Sequence, residues 1–140
     1  MTDNAIARCA AIEECYEFML AYAGQGLVGN EGSSSSRQVR DFLSRAAEAI
    51  SGLAQAYSTA VKQENLRPSE HFDAFLSVLE NDARNSLCAI QLVLAQDVIS
   101  SQLIDNLNAS IHLRALLTDL FLIDEILKPQ RTQIKPSITD

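Results

Sequence analysis

The 140-residue chain sets 18 acidic against 11 basic residues, a formal net charge of −7, with 47% hydrophobic residues. That is one domain's length, and folding at this size buries roughly 70% of the unfolded surface. The acidic balance argues against nucleic acid, whose phosphates need clustered Lys and Arg, and no apolar run approaches the ~20 residues of a membrane span.

Met1-Thr2-Asp3-Asn4 lacks the basic and apolar regions of a secretory signal, so the expected compartment is the cytoplasm. Cys9, Cys15 and Cys88 agree with it. They are odd in number and form no C-x-x-C pair, so all three read as small buried hydrophobes, with no disulfide or zinc implied.

The first predicted helix covers 4–23. Ala5, Cys9, Ile12, Tyr16, Met19 and Ala23 recur in steps of three and four along one face. Gly24 stops it. Residues 24–36 hold four of the five glycines and four consecutive serines, a long first loop that is flexible by composition.

The second predicted helix, 37–64, carries Val39, Leu43, Ala46, Ile50, Leu53, Tyr57 and Ala60 as its stripe. Asn65-Leu66-Arg67-Pro68 ends it, because the residue before a proline avoids helical angles. Ser69 then caps a third helix, 69–95, with Phe72, Leu76, Leu79, Ala83, Ile90 and Val93 on one side. Asp97 caps a fourth, 98–128, which Pro129 stops. Residues 129–140 show no periodicity and read as a disordered tail.

Two short connections make helices two, three and four antiparallel neighbours. The expected fold is an all-α, up-and-down four-helix bundle spanning 1–128, with a long flexible first loop.

The motifs exclude more than they assign. Gly24-Gln25-Gly26-Leu27-Val28-Gly29 matches G-x-G-x-x-G, but a dinucleotide site needs that turn between a strand and a helix, and here a helix precedes it. A di-iron bundle needs two Glu-x-x-His motifs, yet Pro68 and Ala109 stand three residues before His71 and His112. No G-x-S-x-G elbow supports the serine run as a nucleophile. The chain reads as non-catalytic, without metal or cofactor.

Two constellations remain, both in the fourth helix. Asp105, Asn108, His112 and Asp119 are spaced to share one face, and imidazole beside carboxylate suits a proton, a ligand or a phosphoryl group. His112-Leu113-Arg114 loosely resembles the His followed by a basic residue of histidine phosphotransfer domains. The glycine of that motif is missing and the His falls on the last helix, so no residue role is carried over. Beyond residue 113 the helix is apolar around nearly its whole circumference. Leu113, Leu116, Leu120, Ile123 and Leu127 make the inward stripe, which leaves Leu122 and Ile126 as the outward pair.

A helix apolar on two sides needs cover on both. The expectation is a non-catalytic interaction or adaptor protein that forms a homodimer through Leu122 and Ile126 and takes a protein partner helix. The alternative is small-ligand binding or phosphotransfer centred on His112.

Overall fold

The structure, a computed structural model, describes residues 3–29 and 34–139, with side chains as far as Lys128. Among the described residues all regular structure is helical: α1 (Asp3–Gly24), α2 (Ser34–Ser51), α3 (Leu53–Gln63), α4 (Ser69–Leu94), α5 (Ser101–Ala109) and α6 (Ile111–Thr139). The all-α class is the expected one. The number of helices is not: the second and fourth predicted helices are each broken in two.

The first break lies at Gly52. The Arg8 guanidinium, reaching over from α1, donates to the carbonyls of Glu48 and Ala49 at 2.9 and 3.0 Å. Those are the oxygens that a continuous helix offers to the N–H groups of residues 52 and 53. A Cβ on Gly52 would lie 2.6 Å from the guanidinium carbon, so only glycine leaves room for this clamp. The second break is Ser110, whose ψ of 132° takes one residue out of the helix. Its N–H closes α5 on the Leu107 carbonyl at 3.0 Å. Its hydroxyl accepts from the His112 N–H at 3.3 Å and its carbonyl from the Arg114 N–H at 3.1 Å, which starts α6.

Residues 25–29 of the first loop, flexible by composition, are held to the rest of the fold. Ser101 N–H donates to the Leu27 carbonyl at 2.9 Å, and Leu27 N–H donates to Ser101 Oγ at 2.8 Å. That hydroxyl in turn donates to the Tyr22 carbonyl at 2.6 Å, and Tyr22 OH donates to the Ile99 carbonyl at 2.6 Å. Residues 25–29 are thus latched to the α4–α5 connection, while 30–33 lie outside the described residues. Ser34, Ser35 and Ser36 are helical, and Ser36 is buried. The cap of α5 is Ser100, accepting from Leu103 N–H at 3.1 Å, and not Asp97.

Pro129 does not end α6, whose backbone stays helical to Thr139; a proline forfeits one helical bond without having to terminate the run. The side chains of 129–140, read from sequence as a tail, lie outside the described residues.

The stripes predicted for the second and third helices are buried at every position, as are Leu113, Leu116, Leu120, Ile123 and Leu127 of α6. Helix α1 packs against α2, α3 and α5, and α4 against α2, α3, α5 and α6. Phe18 of α1 stacks on Phe42 of α2 with centroids 4.3 Å apart, while Arg8 meets residues 48 and 49, so these two helices run in opposite directions.

Candidate functional site

The break at Ser110 divides the polar face predicted over Asp105, Asn108, His112 and Asp119. Asp105 and Asn108 stay on α5 and line an open groove of about 520 Å³ against the end of α1, with Leu20, Gly24, Leu27 and Ser101. Asn108 Oδ1 is buried there without a hydrogen-bond partner. His112 sits in the first turn of α6 and is exposed. Asp119 is buried at 9% exposure. The four residues therefore occupy three different environments.

A surface change such as His112→Ala should leave stability within ~0.5 kcal/mol in chemical denaturation. A loss of several kcal/mol would reveal an imidazole bonded into the fold.

The G-x-G-x-x-G turn has structural work. Gly26 and Gly29 take φ of +67° and +85°, conformations that glycine accepts freely. The Leu27 N–H, which a phosphate cradle would point at its ligand, is engaged by Ser101.

Asp119 faces a second carboxyl group, that of Asp82 on α4. Burial first, then a hydrogen bond to Asp82 and the repulsion of its charge, hold the Asp119 carboxyl up at about 7. Its Oδ2 is buried without a partner. Among the described residues the salt bridges are Glu80–Arg84 and Glu125–Lys128, and neither involves Asp82 or Asp119. Asp82 was invisible from sequence, because a carboxylate on an exposed-looking helix position carries no mark of its neighbour.

A second polar cluster also escaped the sequence reading. Tyr57 OH of α3 lies 2.7 Å from Cys9 Sγ and donates to Asp124 Oδ1 of α6 at 3.0 Å. Burial, and then the neighbouring Asp124 and Glu17, raise the Glu13 carboxyl above the ordinary range. Cys9 and Cys15 are buried as expected, and burial pushes the Cys15 thiol up to about 12. Cys88 corrects the expectation for the three cysteines, since it is exposed. Among the described residues no group of three or more His, Cys, Asp or Glu side chains is arranged to hold a metal ion. Nor is any helix, among those residues, long and apolar enough to cross a membrane.

Leu122 and Ile126 face outward, 50% and 46% exposed, while the inward stripe of α6 is buried. Phe121 is also exposed, about 100° further round the helix. Ile111 is also exposed, at the first residue of α6 just after the Ser110 break.

Comparison of the chain with protein-family models, with curated proteins and with solved structures finds no match.

Proposed function

We propose that the protein is a non-catalytic interaction module: an antiparallel bundle of four helical rods, two of them broken, that self-associates through the outer face of α6. The observation that carries this reading is the half-exposed pair Leu122 and Ile126 on a helix whose opposite side is already packed. Full burial of each would add ~1.5–3 kcal/mol relative to full exposure, so roughly half of that is still available to a second surface. A symmetric dimer supplies that surface from the same gene product.

Analytical ultracentrifugation at micromolar concentration tests it. The natural chain is expected to sediment as a dimer, and Leu122→Glu and Ile126→Lys as folded monomers. A natural chain that sediments as a monomer would end the proposal.

Phosphotransfer at His112 is a second reading, favoured by the exposure of that imidazole. Labelling by acetyl phosphate that His112→Ala abolishes would select it. Absence of labelling would leave interaction as the function.

A further inference from the structure

We propose that self-association is governed by a proton shared between Asp82 and Asp119, at the edge of a two-helix face formed by α4 and α6 on which a second copy of this chain docks. The inference rests on the self-association reading and adds its surface on α4 and its control.

The register of the two helices defines the face. Ser86 Oγ of α4 donates to the His112 carbonyl of α6 at 2.8 Å, and Asp82 meets Asp119 further along, so α4 and α6 run antiparallel. At 100° per residue, Ala115, Leu122 and Ile126 fall within about 60° of Asp119 around α6. Val78 falls within about 40° of Asp82 around α4, and the register sets it level with Leu122. Val78 is 48% exposed, matching Leu122 and Ile126. The carboxyl pair therefore borders an apolar strip contributed by both helices.

The size of this face suits a second copy. Residues 111–128 of α6 run about 27 Å, and two packed helices are about 20 Å wide. The footprint is then about 500 Å² on each copy, which brings the total to the ~1,000 Å² that separates a specific interface from an incidental one. Docking the face on itself is isologous, so both copies bring the same carboxyl pair into the contact.

Charge then decides the outcome. Asp119 Oδ2 is buried without a partner, and two ionised carboxylates at one site repel. The charged groups around the pair do not relieve it. Asp82 is the charged group that acts on Asp119. On α4, Glu80 and Arg84 pair with each other and line the opposite groove toward α2 and α3. The one ionisable residue of α5, Asp105, lines the groove on the α1 side. On α6, His112 lies about 10 Å back along the axis. Docking removes the remaining water, which penalises the charged pair further, so the docked state holds the shared proton more tightly than the free chain does. Association must then take up protons and weaken as pH rises.

The test is sedimentation equilibrium of the full chain at pH 6.0, 7.0 and 8.5 and constant ionic strength. The dimer dissociation constant is expected to rise at least about tenfold between pH 6.0 and 8.5, one decade per pH unit for each proton taken up. Asp119→Asn should flatten that dependence and keep the dimer at pH 8.5, because an amide does not titrate, and Asp82→Asn should lessen it, because burial, the larger cause, still acts on Asp119. Having two variants guards against misfolding of one, which circular dichroism would show. His112→Ala should keep the natural slope. Association that ignores pH, or an equal slope in both Asn variants, would overturn the shared-proton control while leaving self-association standing. A monomer at every pH in all variants would remove both.

Discussion

Replacing Gly29 with Ala should destabilise the protein by about 2–4 kcal/mol, a large cost for one methyl group. The added Cβ would lie 2.7 Å from Val98 Cγ1 and 2.8 Å from the carbonyl carbon and oxygen of Ile99. Two of those three atoms are backbone, so the neighbour cannot simply rotate away. The position also has φ of +85°, where a Cβ is strained whatever the space. The same Ile99 carbonyl accepts from Tyr22 OH at 2.6 Å, so a shift of residue 99 would loosen a buried bond as well. Gly24→Ala is the control: nothing lies within 4 Å of its Cβ, and its change should stay within ~0.5 kcal/mol. Urea denaturation of the two variants measures the difference. Equal stabilities would mean that residues 25–29 do not dock on 98–101, and the freely moving loop suggested by composition would stand.

That contrast shows where sequence reading works in this chain and where it stops. Stripes such as Val39–Leu43–Ala46–Ile50 and Leu113–Leu116–Leu120 were legible because burial repeats with the helical period, and they are buried. The breaks were not legible, since each depends on a residue far away or on a single backbone angle. Gly52 is a weak helix residue in any sequence, and only the Arg8 clamp from α1 makes it a break. Ser110 sits in a periodic run that continues on either side of it, so the pattern passes over a one-residue cap. The loop misled for a related reason: glycine and serine indicate what the chain can do, whereas Ser101, 74 positions from Leu27, sets what it does. Of the site, the inward stripe leaves Leu122 and Ile126 pointing outward, and they are exposed. Helical spacing puts Asp119 on one face with His112, but its neighbour is Asp82, on another helix.

Asp119→Asn should raise the stability of the monomer by about 1–3 kcal/mol at pH 8, the usual cost of a buried polar group without its partner. The gain should shrink toward pH 5. The sign follows from the direction of the shift. In the folded chain the Asp119 carboxyl titrates at about 7, against 3.8 for an ordinary aspartate. Between those values the folded state keeps a proton that the unfolded state has released, so stability falls as pH rises. The contribution is fully present below about pH 4 and is lost once pH passes about 7, when the Asp119 carboxyl is charged. Asparagine cannot ionise, and its amide can donate to the Asp82 carboxyl group. Some slope should survive in the variant, because the Glu13 carboxyl is also raised by burial, by Asp124 and by Glu17, and acts in the same direction. Urea denaturation at pH 5 and pH 8 in a Leu122→Glu background, expected to be monomeric, separates folding from association. A natural Asp119 chain that is more stable at pH 8 than at pH 5, or an Asn variant weaker than its parent at pH 8, would show that the two carboxyl groups are not held together.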